Sequence, residues 1–368
     1  MTPPWRAARE AGIETPMIRG LDLRDSDRLL VVVPHPDDET LATGGLLQRA
    51  LGAGAEVRVV VATDGDNNPW PQRWLERRWR IDAAARERWG RRRREEARSA
   101  MALLGVPAEA VRFFGWPDQR LTAMLMRDGA AEEQLRDELA RFSPSIVAMP
   151  SLDDRHPDHN ALRVMLELAL FRQGRFDCRR LGYVVHGPAP DRRNLAIPLD
   201  AAQFANKQRA LLAHATQLSL SRRRMQRLCE RVECFEAVPA PSKAAAQGGL
   251  EWILPWPGHQ RWLHGHELLI VAGVGTRIGR HRIALPRTTR ATTRSFALGD
   301  APPLQAIVRV GAGRLRVSLA CRQAISLAFA KIERTGTRLV IYDAQGWSSA
   351  GDAIQSGETE IAQSLPVA

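Results

Sequence analysis

The hydrophobic pattern along the chain changes character near residue 240. Before that point, short apolar runs alternate with helix-length amphipathic stretches. Leu29–Val33, Glu56–Thr63, Val111–Trp116, Ser145–Ser151 and Leu181–His186 read as strands. Thr40–Ala50, Arg93–Leu104, Gly129–Phe142 and Asn160–Arg172 read as helices between them. Strands that are apolar throughout are buried on both faces, as in a parallel sheet covered by helices. The expected fold is therefore α/β, a Rossmann-like and mostly parallel sheet with helices on both faces. Beyond Val238 a Pro/Ala/Gly-rich stretch to Gly249 reads as a linker, and the period then shifts to two. Ala306–Val310 and Arg314–Leu319 flank Gly311-Ala312-Gly313, and Ile325–Glu333 and Arg338–Tyr342 flank Thr335-Gly336. Both patterns are hairpin signatures, so a small C-terminal antiparallel β-domain is expected. The organisation predicted is a lead-in over 1–27, an α/β domain over 28–240, a linker over 241–250 and a β-rich domain over 251–368.

Two of the strands end in the same kind of cluster. Leu29–Val33 runs into Pro34-His35-Pro36-Asp37-Asp38-Glu39, and Ser145–Ser151 runs into Asp153-Asp154-Arg155-His156-Pro157-Asp158-His159. Functional groups in open α/β sheets lie just past the carboxyl ends of strands. Imidazole nitrogen with carboxylate oxygen is a donor set that zinc or ferrous iron accepts. The bland alternative is a polar turn in which Asp37 or Asp38 caps the following helix.

Together these boxes resemble the PIG-L/LmbE-like family of zinc-dependent N-deacetylases, whose signatures are a His-Pro-Asp-Asp-Glu box and a later His-Pro-Asp-His box. Four further stretches resemble the family: Thr63-Asp64-Gly65-Asp66, the helix Arg93-x-x-Glu96-x-x-x-Ala100-x-x-x-Leu104-Gly105, Gly115-Trp116-Pro117-Asp118, and the helix Lys207-x-x-Ala210-x-x-x-His214-x-x-Gln217. The resemblance runs from about Leu29 to Val238. It implies one zinc per chain, with ferrous iron as the alternative, held by His35, Asp38 and His159. Asp37 is then the general base, and His156 polarises the carbonyl and protonates the leaving amine. Asp158 fixes a histidine tautomer, and Arg93 and Asp118 hold the substrate. The implied reaction is hydrolysis of an N-acetyl group on an amino sugar. A tyrosine donor found in some family members has no obvious counterpart, because Tyr183 and Tyr342 both lie away from the boxes in sequence. His186 and His214 read as packed or supporting histidines, Glu39 as a supporting or capping carboxylate, and His264-x-His266 lacks a third partner.

Charge adds one feature. The chain of 368 residues carries a formal net charge of +12, which favours anionic partners without choosing among them. Between Arg73 and Arg98 eleven arginines face five acidic residues, interleaved with tryptophans at 70, 74, 79 and 89. This insertion, about 67–92, reads either as a helix packing its indoles on the core or as a lid or interfacial helix. The second reading would meet an anionic membrane surface or a lipid-linked substrate. A basic protein that binds nucleic acid would account for the charge, but no helix-turn-helix, zinc-finger or RNA-binding signature accompanies it. Another metal-dependent amidase acting on a non-sugar or thiol-conjugate amide, and a ferrous oxygenase, share the donor set; the βαβ rhythm argues against the oxygenase. Residues 1–20 have no apolar core like that of a signal peptide, no stretch approaches the roughly 20 apolar residues of a membrane span, and the four cysteines form no Cys-x-x-Cys pair. The expected location is cytoplasmic, or peripheral at the inner membrane face.

Overall fold

A computed structural model of the chain describes residues 19–127, 129–174, 177–187, 193–240, 249–256, 265–275, 277–286, 292–298, 304–311, 313–321, 323–336 and 342–355. The chain divides into two compact units. The first takes Met1–Leu121, Asp137–Asp154 and Asp177–Pro239; the second takes Thr122–Arg136, Arg155–Phe176 and Ala240–Ala368.

In chain order the elements up to Val238 are β1 (Arg19–Gly20), β2 (Arg28–Val33), α1 (Asp38–Gly52), β3 (Glu56–Thr63), α2 (Pro69–Glu76), α3 (Ala83–Leu103), β4 (Val111–Trp116), α4 (Leu121–Leu125), α5 (Ala130–Phe142), β5 (Ile146–Pro150), α6 (Pro157–Gln173), β6 (Arg179–Tyr183), β7 (Arg193–Pro198), α7 (Ala201–Ala213), α8 (Ala215–Leu228) and β8 (Val232–Val238). The first unit is built on an eight-stranded sheet in the order β1-β7-β8-β6-β5-β2-β3-β4. The pairs β2–β3, β2–β5, β3–β4 and β5–β6 are parallel, whereas β8 runs antiparallel to β6 and β7. The mostly parallel α/β architecture expected from the sequence is therefore present. Leu29–Val33 and Val59–Ala62 are fully enclosed, as central strands covered on both faces must be.

Local chemistry sets the helix ends. The Asp82 carboxylate accepts from the Ala85 amide at 2.8 Å and opens α3, and Gly105 turns out of that helix at φ +88°. Asp200 and Gln203 form a reciprocal capping box on α7. From α7, the fully buried Lys207 donates to Glu233 at 2.7 Å, and Glu233 accepts from the Gly45 and Leu46 amides of α1. The family-like lysine thus ties α7 to α1 through one buried carboxylate.

The second unit contains α6, the start of α5, and the strands β9 (Leu250–Pro255), β10 (His266–Val274), β11 (Arg277–Leu285), β12 (Thr292–Leu298), β13 (Leu304–Val310), β14 (Arg314–Ala320), β15 (Ile325–Arg334), β16 (Ser348–Ser349) and β17 (Ile354–Gln355). They form two antiparallel sheets, β11-β10-β15-β16 and β12-β13-β14-β9-β17. One apolar core is shared by inward residues of both, among them Trp252, Leu254, Ile270, Val308, Val317 and Ala330, which is the signature of a sandwich. On the other face of the first sheet α6 packs closely; a Cβ added at Gly273 would meet the Phe171 ring at 3.5 Å. Arg280 of β11 reaches the Leu125 carbonyl at 2.8 Å and the Glu132 carboxylate. The hairpin expected at 306–319 is present as β13–β14. Of the second hairpin, the first arm is β15, while residues 338–341 lie outside the described residues. So do residues 1–18 of the lead-in, 241–248 of the linker, and His264. Leu250, placed in the linker by sequence, opens β9. Among the described residues no helix is long and apolar enough to cross a membrane.

Candidate functional site

In the first unit the site grows from the carboxyl end of β2. Pro34 stops the strand, and its carbonyl accepts from both the Thr63 amide and the Thr63 hydroxyl at 2.9 Å, which locks the box to the end of β3. The Asp38 carboxylate accepts from the His35 amide at 3.1 Å and lies 3.2 Å from His35 Nδ1. His35 Nε2 lies 3.2 Å from Asp118 Oδ1, and Asp118 Oδ2 accepts from the Asn67 amide at 2.9 Å. His35 therefore stands between two buried carboxylates. Burial alone would raise the Asp118 carboxyl, but the His35 hydrogen bond and charge, the Asn67 amide and Arg93 together hold it below the usual range.

Asp37 adopts φ 122°, a left-handed conformation that a non-glycine residue keeps only where its surroundings enforce it. Two contacts do so. The Asp37 amide donates to Glu39 at 2.9 Å, and Arg93 Nη2 lies 3.3 Å from the Asp37 carboxylate. Burial pushes the Asp37 carboxyl up to about 7 against the pull of Arg93, with Asp38 and Glu39 adding like-charge repulsion. Arg93 also donates to the Gly65 carbonyl at 2.7 Å and the Pro36 carbonyl at 2.5 Å, so most of its guanidinium supports the box. Its Nε is buried with no hydrogen-bond partner among the described residues. Gly65 is required by this contact: any Cβ there would lie 1.7 Å from Arg93 Nη1.

Glu39 and His214 form a layer beneath. His214 Nε2 lies 3.1 Å from Glu39 Oε1, and both groups are buried. Burial lowers the imidazole, but the Glu39 charge and hydrogen bond outweigh it and raise His214 above its ordinary value. His214 is thus a packed histidine, and Glu39 both supports a histidine and receives the Asp37 amide. Asp154, just past β5, was missed by sequence reasoning; fully buried, it accepts from the Val185 and His186 amides at 2.8 and 3.1 Å. Tyr183 is spent on the Val32 carbonyl at 2.8 Å.

The second box opens α6 in the second unit. His156 is the residue before the first helical turn, and its Nδ1 accepts from the Asp158 amide at 3.2 Å. A backbone amide can only donate, so in neutral His156 the ring proton sits on Nε2. Asp158, His159 and Asn160 are buried, and the His156 and His159 rings lie 5.1 Å apart. The β-sandwich contributes directly to this box. Tyr342 presents an edge to the His156 ring at 6.0 Å between centroids. The Asp343 amide donates to the Arg155 carbonyl at 2.8 Å. Lys331, fully buried on β15, donates to the Asn160 side chain at 3.1 Å and to the Asp343 carboxylate. Tyr342 thus adjoins a box after all, although it is distant in sequence.

The donor chemistry suits a divalent cation. In the first unit the buried carboxylates Asp37, Asp38, Glu39 and Asp118 outnumber the cationic groups on them, Arg93 against Asp37 and the His214 imidazole against Glu39, with His35 between Asp38 and Asp118. Such a surplus of enclosed carboxylate is costly unless a further positive charge joins it.

A family model described as GlcNAc-PI de-N-acetylase (PIG-L) matches residues 30–170. The 1D-myo-inositol 2-acetamido-2-deoxy-alpha-D-glucopyranoside deacetylase of Mycobacterium sp. (strain KMS) is 36% identical over 111 residues, covering 30% of this chain and 33% of the relative. The enzyme of that name from Corynebacterium diphtheriae is 28% identical over 232 residues, 53% of this chain and 77% of the relative. The first of these matches therefore spans about a third of the relative's length. Among solved structures, the N,N'-diacetylchitobiose deacetylase from Pyrococcus horikoshii superposes with a TM-score of 0.45 at 18% identity, over 64% of this chain and 90% of that one.

Proposed function

Because a PIG-L family model matches residues 30–170, we propose that this protein is a metal-dependent N-deacetylase that removes the acetyl group from an N-acetylated amino sugar. The observation that carries the reading is the pairing of β2 with β5, Leu29 against Ile146 and Val31 against Ala148 in parallel register. Their carboxyl ends are neighbours, one leading into His35–Asp38 and the other, six residues after Pro150, into His156. In this reading His35, Asp38 and His159 hold one zinc ion, two nitrogens and one oxygen in the pattern of open catalytic sites. Zinc bound there supplies Lewis-acid polarisation of the amide carbonyl and acidifies water.

The chain's own residues do the proton work. Asp37, with a carboxyl near neutrality, takes the proton from the attacking water as it adds to the carbonyl carbon. Arg93 and Glu39 hold it in its strained conformation. His156 donates an Nε2–H hydrogen bond to the carbonyl oxygen and then, as the C–N bond breaks, gives that proton to the leaving amine while the proton Asp37 took from the water replaces it. Asp158 fixes the His156 tautomer through its backbone amide, and its carboxylate is assigned to orienting a histidine. Asp118 orients His35 on the side facing away from Asp38. The unpaired Nε of Arg93 is assigned to a substrate oxygen, and the second substrate contact to Asp118.

Acetate release from a panel of N-acetylglucosamine conjugates carrying inositol, lipid, nucleotide and glycan aglycones tests the activity. Metal content of Asp38→Ala and His159→Ala tests the ligands: each variant should purify with little zinc. Full zinc in both removes the site as assigned. An intact zinc site with no turnover of any acetylated sugar moves the protein to another class of amide.

A further inference from the structure

We propose that α2 and the turn after it form a docking face for an anionic phospholipid bilayer. The tryptophans of the Arg/Trp-rich insertion divide into two groups. Trp89, on α3, is buried, whereas Trp70, Trp74 and Trp79 are 62%, 67% and 77% exposed. Leu75 is also exposed. Three indoles displayed within ten residues form an apolar patch of the kind that soluble surfaces avoid unless it meets something.

The patch is held in shape from behind. On α2, Pro71 and Gln72 are buried, and Gln72 donates to the Ala85 carbonyl at 2.7 Å, fixing which side of the short helix turns inward. Arg73 lies 5.0 Å from both the Trp70 and the Trp79 rings, so one guanidinium spaces two indoles. Arg77 then takes a left-handed conformation, φ 52°, and turns the chain so that Arg77, Arg78, Trp79 and Arg80 are all exposed.

Charge selects the occupant. From Pro69 to Arg80 four arginines face one acid, Glu76, a local excess of three positive charges. That excess disfavours pairing with a second copy of the same face, and the indoles add what a purely ionic partner does not use. Indoles settle at the boundary between headgroups and hydrocarbon, and flanking arginines meet anionic headgroups. The face also adjoins the site within the first unit. It begins two residues after Asn67, whose amide donates to the Asp118 carboxylate beside His35. A bilayer bound here lies at the rim of that box.

The test is co-sedimentation of the full-length protein with vesicles of phosphatidylcholine alone and of equal parts phosphatidylcholine and phosphatidylglycerol, at low and high salt. Partition into the anionic vesicles is expected, weakened by salt. Arg77→Gln/Arg78→Gln should lower the partition coefficient about 30-fold, from about fivefold for each arginine near an anionic surface. Trp74→Ser/Trp79→Ser should abolish the binding that survives high salt. These side chains are exposed, so zinc content and circular dichroism should be unchanged. Equal or absent binding to the two vesicle types, or partition untouched by both double variants, overturns the proposal. Tighter binding to duplex DNA than to anionic vesicles, lost in the same variants, also overturns it and assigns the face to nucleic acid. The assay reads partition and not turnover, so its outcome is separate from that of the deacetylase reading.

Discussion

Asp37 combines a left-handed backbone, a buried carboxyl and an arginine contact, a costly combination for a residue that merely opens a helix. If Asp37 is the proposed general base, Asp37→Asn should bind zinc as the unaltered protein does and lose about 10²–10⁴-fold in turnover, the usual range for a general acid–base group; steady-state rates beside metal analysis check this. Gly65→Ala should be harsher on the fold. It adds about 1–3 kcal/mol of backbone strain at φ +60° and displaces Arg93, so the melting temperature and turnover should fall together. His214 sets a pH dependence. Its folded value is raised by Glu39, so its contribution to stability is fully present below about 6.5 and is lost as pH rises through the raised value. In His214→Gln, thermal melts from pH 5 to pH 9 should lack that decline. At this scale the sequence singled out the two boxes, because histidine and aspartate packed around prolines at strand ends are rare and chemically specific; the reactive roles given to their residues are part of the proposal. It did not reveal that Arg93 is spent mostly on the Pro36 and Gly65 carbonyls, since a guanidinium's partners depend on where three separate segments meet.

Elements show the same division. Strands β2, β3 and β5 were legible because burial on both faces writes an unbroken apolar run, and β13–β14 because alternation around Gly-x-Gly writes a hairpin, whereas β1, β7 and β8 were not read from the sequence. The environment of α2 was open between a core helix and an interfacial one. Its spacing of tryptophans is compatible with both, and only the buried Gln72 settles which side faces inward. The hold of β15 on α6 was illegible, because nothing local in Ile325–Arg334 marks Lys331 as buried. Breaking that hold should be expensive. Lys331→Met leaves Asp343 enclosed without its cation, and removal of one partner from a buried pair costs about 3–5 kcal/mol. Urea unfolding at neutral pH measures it, and Lys331→Met/Asp343→Leu should recover much of the loss. If Asn160 is loosened as well, His159 beside it should bind zinc more weakly.

The two compact units part at Pro239/Ala240, where the composition changes, but two earlier segments, Thr122–Arg136 and Arg155–Phe176, also belong to the second unit. The break near residue 240 suggests a catalytic part with an appendage behind it, yet α6, with His156 and His159 at its start, belongs to the same compact unit as the β-sandwich. The family match ends at residue 170, close to the end of α6, so the remainder of the chain reads as separable. Deleting 240–368 should instead strip α6 of the sheet it packs on. The shortened chain should be poorly soluble, or should fold without binding zinc, as circular dichroism and metal analysis would show. A truncated protein with full zinc and turnover would mean the sandwich is dispensable to the second box.

The scattered make-up of the second unit has a temporal side. α6 is complete once Gln173 is synthesised, but β15, which carries its lysine partner, ends only at Arg334. At the usual pace of translation that interval is on the order of ten seconds. Throughout it, the apolar surface of α6 emerges from the ribosome with no sandwich to cover it. Ribosome-bound chains halted shortly before residue 250 should thus recruit holding chaperones and be cut readily by protease within 157–173. Chains halted well after residue 355 should resist both.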